Sequence, residues 1–349
     1  MRRISVSLLL LGAAVTSADR LPARPAASAP PPAVGIAVNL DPSLNPAARQ
    51  VVLDAVRRTG ASLFVLELSW SRTEPRPREY RLEEITRTAR VLRQSGATLH
   101  LDLPLVTETE RDVPKDLSGV AFDDRRLSLR LGRLLDALMP ALLDFGSLSL
   151  GQGADTYFAD KPDELRAYLR LFDGAVPFLR KKAPHLGVGV TTEAPMQSRA
   201  PEVAAALHRK SPVLFYAYSP FARGEPFLQR GPDALDRDWP AVLKTASGRP
   251  IAFPVVSYCS SPENGSSPEK QAGFIRRLRR FLAKTDGRAL LFARYVALRD
   301  PPLDGIPAVE PGAPVAARRQ RAFLSSRGLQ SANGDPKPAW REWLRARRP

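Results

Sequence analysis

"RLEEITRTARVLRQSGATLHLDLPLV", residues 81–106, joins a helical pattern directly to a strand pattern. Its first part carries apolar residues at helical spacing and ends at Gly96, a residue that favours the left-handed cap of a helix. The second part, residues 97–106, is a run of mainly apolar residues of the kind that forms a buried strand. A helix that leads into a buried strand is the repeating unit of a parallel α/β fold.

The same unit recurs along the chain. Strand-like apolar runs occur at residues 34–40, 63–70, 97–106, 145–151, 186–193, 213–220, 251–258 and 289–295. Helical patterns lie between them, at residues 45–60, 81–96, 160–184 and 266–287. Eight strands that alternate with helices predict a single (β/α)8 barrel, which we assign to residues 34–349. A doubly wound open sheet is the alternative. No glycine-rich phosphate loop follows the first run, which argues against a dinucleotide-binding enzyme.

The N-terminal residues have the composition of an export signal. Arg2 and Arg3 precede an apolar run and then small residues, so residues 1–18 are predicted to be a signal peptide. Residues 19–33 are rich in proline and alanine and are predicted to be an extended linker. We therefore expect an exported protein, periplasmic or extracellular. No other apolar run is long enough for a membrane span.

The chain is basic, with a formal net charge of +16. The densest run, residues 274–284, alternates apolar and basic residues at helical spacing and predicts a solvated helix face. That face suits weak contact with anionic envelope polymers. No zinc-ligand, RNP-like or recognition-helix pattern accompanies the charge, so nucleic acid is not an expected partner.

Cysteine and histidine are scarce. Cys259 is the single cysteine, so it has no disulfide partner, and we expect a buried, unreactive thiol. His100, His185 and His208 lie far apart in the sequence and match no metal-binding spacing. No Gly-x-Ser-x-Gly elbow is present, which disfavours a Ser-His-Asp hydrolase. The sequence predicts no metal and no cofactor.

Functional groups of such a barrel come from the carboxyl ends of its strands. Those ends carry Asn39, Trp70, Asp102, residues 152–158, Glu193, Tyr218, Tyr258, Arg294 and Tyr295. Aromatic faces pack on the C–H faces of sugar rings, while amides, carboxylates and arginine bond hydroxyls. We therefore predict a carbohydrate ligand. The predicted binding residues are Trp70, Gln152, Asp155, Tyr157, Glu193, Tyr218, Tyr258 and Arg294.

Four segments resemble the (β/α)8 glycoside hydrolases of clan A. They are "WSRTEPRPREYRLEEI" (70–85), "LGQGADTYF" (150–158), "SYCSSPENGSSPEKQAGFIRRL" (257–278) and "GLQSANGDPKPAWREWL" (328–344). In order and spacing they match the segments after strands 2, 4 and 7 and the C-terminal segment of that superfamily. The resemblance implies the barrel fold and a glycosidase-type site, and it implies that Glu74 ties down the loop after strand 2.

The resemblance breaks at the two catalytic positions. Clan A enzymes use one glutamate at the end of strand 4 and another at the end of strand 7, and the retaining mechanism needs both. Here the strand-4 positions are Gln152 and Gly153, and the strand-7 position falls at Val255. No carboxylate occurs from residue 251 to residue 261. We therefore predict a catalytically degenerate barrel, with no catalytic residue assigned, that acts as a carbohydrate-binding or interaction module.

Two alternatives stay open at this point. An active glycosidase with relocated carboxylates would use Asp155 and Glu193, which follow adjacent predicted strands. In the simpler interpretation, Asp155 orders its loop and Glu193 pairs with an arginine. A purely structural envelope protein is the other alternative, and it would have an occluded rim.

Overall fold

The computed structural model describes residues 30–37, 58–310 and 312–345. Its strands are Ala33–Ile36 (β1), Leu63–Glu67 (β2), Thr98–Asp102 (β3), Ser147–Ser149 (β4), Gly187–Gly189 (β5), Thr191–Glu193 (β6), Leu214–Tyr218 (β7), Ile251–Val256 (β8) and Leu290–Tyr295 (β9). Its helices are Trp70–Thr73 (α1), Glu83–Gln94 (α2), Arg125–Leu142 (α3), Ala154–Phe158 (α4), Pro162–Lys182 (α5), Pro201–Arg209 (α6), Ala234–Thr245 (α7), Pro268–Lys284 (α8), Val315–Leu324 (α9) and Pro338–Arg345 (α10).

All strand pairs are parallel, in the order β5-β4-β3-β2-β1-β9-β8-β7-β6. The two ends of this order are the two halves of one strand position, because only Val190 separates β5 from β6. β5 pairs with β4 and β6 pairs with β7. The sheet therefore closes on itself as a barrel of eight strand positions, which confirms the predicted (β/α)8 fold and excludes the open doubly wound sheet.

Side chains fill the barrel interior. The ring of His100 lies 4.9 Å from that of Phe215 and 5.0 Å from that of Phe292. These rings occupy the space opposite Gly189, where an added β-carbon would lie 2.3 Å from the carbonyl oxygen of Val213. Glycine is needed at residue 189 because the interior is already packed.

The helices bury the outer face of the barrel. Trp239 of α7 stacks on Phe253 of β8 with 4.1 Å between ring centroids. Two basic residues of α8 form ion pairs with neighbouring helices. Arg276 pairs with Glu342 of α10, and Arg277 pairs with Asp236 of α7. The expectation of a freely solvated basic face over residues 274–284 therefore needs correction. Two of its arginines are ion-paired across helix contacts.

The observed elements follow the predicted ones closely. Each of the eight predicted strand runs overlaps at least one strand, and α2 ends just before Gly96, whose φ of 85° is the left-handed cap that the sequence predicts. Asn39, most of the helical pattern at residues 45–60 and all of residues 1–29 lie outside the described residues. The predicted signal peptide therefore stays a prediction.

Two smaller expectations concern reactivity and membranes. Cys259 is buried, as predicted, and burial raises the pKa of its thiol to about 11. Such a thiol stays protonated and unreactive at neutral pH. Within the described residues, no helix combines the length and apolar character that crossing a membrane requires.

Candidate functional site

The segment after β3 covers the carboxyl end of the barrel, which we call the mouth. Its backbone is tied to the loop after β4, because Leu105 N–H donates to the carbonyl of Leu150 over 3.2 Å and Gln152 N–H donates to that of Val106 over 2.9 Å. These bonds hold the segment over the carboxyl ends of β3 and β4. The residues that follow Val106 are therefore held beside the loop that contains Gln152 and Gly153.

Glu108 occupies the space next to Gly153. A β-carbon added at Gly153 would lie 2.2 Å from Cγ of Glu108 and 3.3 Å from its Oε1. The backbone of Gly153 also has a φ of 61°, which side chains rarely adopt. Gly153 thus has a steric role in addition to lacking a carboxyl group. It leaves room for the Glu108 side chain, which comes from a different loop.

Asp155 follows Gly153 and joins the loops after β4 and β6. Its Oδ1 accepts from the backbone N–H of Glu193 over 3.0 Å, and its Oδ2 accepts from the hydroxyl of Ser198 over 2.6 Å. Burial raises the pKa of Asp155, and these hydrogen bonds oppose the rise. Both oxygens are therefore committed to ordering the loops, as the simpler interpretation of Asp155 expects.

Glu193 is the half-buried carboxyl group at the end of β6. Burial raises its pKa to about 7, and repulsion from Asp155 and Glu108 adds to the rise, while Arg199 opposes it. No ion pair within 4.0 Å joins Glu193 to any residue that the structure describes. The predicted pairing of Glu193 with an arginine is therefore at most a longer-range attraction.

We call Glu108, Asp155 and Glu193 the carboxyl cluster. Although part of the Glu108 side chain is exposed, the surrounding protein desolvates its carboxyl group and raises its pKa, and Asp155 adds to this rise. The pKa values of all three groups are raised, and Glu193, with a pKa of about 7, can donate as well as accept a hydrogen bond near neutral pH. In the described part of the chain, no three His, Cys, Asp or Glu side chains are arranged to hold a metal ion.

The raised pKa of Glu193 predicts a pH dependence of stability. Between the ordinary glutamate pKa of 4.5 and the folded value of about 7, the folded protein keeps a proton that the unfolded chain has released. This group therefore makes stability fall as pH rises through that window, and the loss is complete above it. Urea unfolding should give the difference in unfolding free energy between Glu193→Gln and the wild type at each pH. This difference should favour Glu193→Gln more at pH 8 than at pH 5. Glu202→Gln, at an exposed position of α6, is the control. An equal difference at both pH values for Glu193→Gln would contradict the assignment.

The opposite side of the mouth carries Arg294 of β9. Its Nε donates to the carbonyl of Pro254 over 2.7 Å. Burial lowers the pKa of the guanidinium, while Asp102 and Glu67 favour its charged form. Arg294 is half-buried, and its guanidinium lies among the acidic side chains of Asp102 and Glu67.

A serine, a histidine and an aspartate are hydrogen-bonded inside the barrel. His100 Nδ1 lies 2.7 Å from the Ser147 hydroxyl, and its Nε2 lies 3.1 Å from Oδ1 of Asp102. All three side chains are buried, so the serine cannot reach a substrate. The network orders the barrel interior and places Asp102 beneath the mouth.

Trp70 and Tyr157 are buried, with 0% and 5% of their surface exposed. The indole N–H of Trp70 donates to Oε2 of Glu74 over 2.7 Å, and the ring of Tyr157 packs edge-on against Phe158 while Lys161 covers its face at 4.0 Å. Neither ring offers a free face to a ligand. The expectation that they form stacking platforms is not supported by this placement.

Tyr218 and Tyr258 are completely buried as well. Tyr218 packs against Trp239 of α7 with 5.9 Å between centroids, and Tyr258 stacks on Phe274 of α8 at 4.7 Å. Side chains alternate along a strand, and this alternation turns Tyr218 toward the helix layer rather than the mouth. The structure thus keeps Gln152, Asp155, Glu193 and Arg294 at the mouth and places the four predicted aromatic residues in the core.

Glu74 has the structural role that the resemblance implied. Its buried carboxylate accepts from Trp70 Nε1 over 2.7 Å, from the N–H of Arg78 over 2.7 Å and from Arg130 Nε over 2.6 Å. These bonds join the loop after β2 to α3. The prediction that Glu74 ties down this loop is confirmed.

Sequence reasoning missed Glu108 and the aromatic residues after β7. Glu108 lies in the acidic stretch that follows β3, so the rule that strand ends carry function could have found it. Phe221 and Phe227 follow the end of β7 and are only half-buried. Their aromatic character was visible in the sequence, but their exposure depends on the local backbone.

Known structures support the fold. A GH5_18 protein from Streptomyces cattleya, crystallised with Manβ1-4GlcNAc, matches with a TM-score of 0.66 and 15% identity, over 90% of this chain and 80% of that one. A GH5_18 protein from Bifidobacterium longum subsp. longum, also with Manβ1-4GlcNAc, gives 0.62 and 16% over 90% and 77%. Xylanase 10B from Thermotoga maritima gives 0.59 and 12% over 90% and 94%.

No family model and no curated protein matches the chain. At 12–16% identity, the structural matches establish the fold alone. They confirm the (β/α)8 barrel fold that the sequence predicts, a fold that these glycoside hydrolase structures share.

Proposed function

We propose that this barrel binds a carbohydrate at its mouth and does not hydrolyse glycosides by the retaining route. The observation that carries the proposal is the chemistry of two positions. Residue 153 is a glycine covered by Glu108, and Val255 in β8 has no group that can attack a sugar carbon. A retaining mechanism needs a nucleophilic carboxylate on one side and a proton donor on the other.

Hydrogen-bonding groups support the carbohydrate ligand. The carboxyl cluster comes from the segments after β3 and β4 and from the end of β6, while Arg294 lies in β9, across the barrel from β4 in the strand order. Carboxyl, amide and guanidinium groups that converge on one recess suit a ligand rich in hydroxyls. Two structural neighbours were crystallised with Manβ1-4GlcNAc, which makes β-linked oligosaccharides the first ligands to test.

Export is a further part of the proposal. Residues 1–18 would direct export, and residues 19–33 would link that signal to the barrel. An exported barrel would meet extracellular or envelope polysaccharides, and its charge of +16 would add a weak attraction for anionic polymers.

A second candidate is hydrolysis with relocated carboxyl groups. The observation that favours it is the pKa of Glu193, raised to about 7, because a general acid must hold its proton near the working pH. Asp155 is a poor partner, since both its oxygens already accept hydrogen bonds. Glu108 is the better second carboxyl group, and an inverting mechanism would need a water between it and the sugar.

Calorimetric titration with β-1,4-linked mannose, glucose and xylose oligosaccharides tests the proposal, with each recovered mixture assayed for shortened sugars. We expect saturable binding and intact oligosaccharide. Glu193→Gln should weaken binding, while the exposed control Glu202→Gln should not. Absence of binding across the panel would overturn the proposal. Shortened products that disappear in Glu193→Gln and Glu108→Gln would replace it with the second candidate.

A further inference from the structure

The segment after β7 forms a short hairpin, residues 219–230, which we call the rim hairpin. Phe221 and Gln229 form an antiparallel bridge, and the N–H of Ala222 donates to the carbonyl of Leu228 over 2.7 Å. Because β7 ends at Tyr218, the hairpin rises from the mouth side of the barrel.

The rim hairpin is joined to the carboxyl-cluster side of the mouth. Ser219 N–H donates to Oε1 of Gln197 over 3.2 Å, and Gln197 N–H donates to the carbonyl of Ala194 over 2.8 Å. Ala194 directly follows Glu193. The hairpin and Glu193 of the carboxyl cluster therefore lie on neighbouring, hydrogen-bonded loops at the mouth.

Two aromatic rings of the rim hairpin are partly exposed. Phe221 and Phe227 lie with 5.4 Å between centroids, and both pack on Phe323, which is 5% exposed, at 4.9 and 5.8 Å. Phe323 packs against both rings, which lie at 73° to each other, so the pair offers an aromatic surface on which one ring face can meet a flat ligand. A surface of this kind fits the apolar C–H face of a sugar ring.

The backbone of Phe227 is held in a strained conformation. Its φ is 57°, an outlier for a bulky residue. Asn264 Nδ2 donates to its carbonyl over 2.7 Å, and a 2.8 Å ion pair between Arg319 and Glu225 fixes the hairpin tip. Strain that the surroundings maintain is concentrated at functional positions in proteins.

Gln229 supplies polar groups that need a partner. It is 6% exposed, and neither its Nε2 nor its Oε1 has a hydrogen-bonding partner in the part of the chain that the structure describes. Opposite residues of an antiparallel bridge project to the same face, so the amide lies on the side of Phe221. A buried amide lacking both partners calls for a group that donates and accepts, as a hydroxyl does.

We propose that the rim hairpin is a sugar-binding subsite, in which one ring of the Phe221–Phe227 pair stacks on a pyranose ring, the other ring borders it, and the enclosed amide of Gln229 turns outward to bond one of its hydroxyls. The subsite rests on the proposed carbohydrate-binding function and extends it beyond the carboxyl cluster. It supplies the aromatic platform that the four buried rings do not provide.

Calorimetric titration with Manβ1-4GlcNAc and β-1,4-mannotetraose tests the subsite. Phe221→Ala, Phe227→Gly and Gln229→Leu should each weaken binding of the better ligand roughly tenfold or more. Phe227→Gly removes the ring and suits the positive φ, so it remains informative if Phe221→Ala fails to fold. Gln229→Leu should leave the melting temperature unchanged or higher, because it removes an unpartnered buried amide. Weaker binding by Gln229→Leu at an unchanged or higher melting temperature would show that Gln229 acts in binding rather than in stability.

Phe178→Ala is the matched control, since Phe178 is a half-buried phenylalanine on the outer helix α5. It should leave sugar binding unchanged. If the wild type binds and the three hairpin variants bind equally well, the subsite is wrong while the carbohydrate-binding proposal stands. If the wild type binds neither sugar nor any member of the wider panel, both are wrong.

Discussion

Glu74→Gln should lower the free energy of unfolding by about 3–5 kcal/mol, the usual penalty for breaking a buried ion pair. The Glu74 carboxylate has no exposed surface and is bonded to Arg130, whose side chain is 11% exposed. Without the carboxylate, Arg130 keeps only its 2.9 Å bond to Asp116, which is half-exposed. The new amide would also direct its N–H₂ group either toward the donor of Trp70 or toward the donors of Arg78 and Arg130, because the two carboxylate oxygens divide these partners.

Urea unfolding monitored by circular dichroism measures this effect. Glu79→Gln is the control, because Glu79 pairs with Arg76 on the surface, where both side chains are more than half exposed. An exposed pair contributes about 0–1 kcal/mol. A loss below about 1 kcal/mol for Glu74→Gln would show that the bonds to Trp70, Arg78 and Arg130 do not hold the loop after β2.

Gly153→Glu, which introduces a glutamate where the resemblance to clan A enzymes would place one, should destabilise the protein by roughly 2–5 kcal/mol. A side chain at φ 61° costs about 1–2 kcal/mol. Its β-carbon would meet Cγ of Glu108 at 2.2 Å, and overpacking of this kind costs a further 1–3 kcal/mol. The added carboxylate would also repel Glu108 and Asp155. The Gly153→Glu variant should therefore be less stable than the wild type and should have no activity on aryl glycosides.

A double-mutant cycle with Gly153→Ala and Glu108→Ala separates these causes. Truncating Glu108 removes the steric conflict but leaves the backbone penalty at Gly153. Chemical unfolding should therefore show a positive coupling, in which Gly153→Ala costs at least about 1 kcal/mol less when Glu108 is absent. Strict additivity would mean that Glu108 does not occupy the volume beside Gly153.

The barrel could be predicted from the sequence because its strands are continuous apolar runs between helical patterns. The orientation of side chains could not. In "VLFYAYSP", residues 213–220, apolar and aromatic residues occupy both faces, as in any strand buried on two sides. Nothing in that pattern distinguishes Phe215, which lies against His100 in the interior, from Tyr218, which packs against α7.

The candidate site was predictable only in part. Asp155 and Glu193 follow strand ends, so their presence at the mouth could be inferred from the strand count alone. The contact between Glu108 and Gly153 joins two loops that are distant in sequence, and it depends on the path of the segment after β3. The exposure of Phe221 and Phe227 likewise depends on the backbone of the rim hairpin. The positive φ of Phe227 could not be predicted from the local sequence.

A crystal structure of the protein with β-1,4-mannotetraose tests the central claim most directly. Our account predicts an intact oligosaccharide at the mouth, with hydroxyls bonded to the carboxyl cluster and one ring stacked on the rim hairpin. An empty mouth at saturating sugar, or a cleaved sugar with its new end beside Glu193 and Glu108, would contradict it.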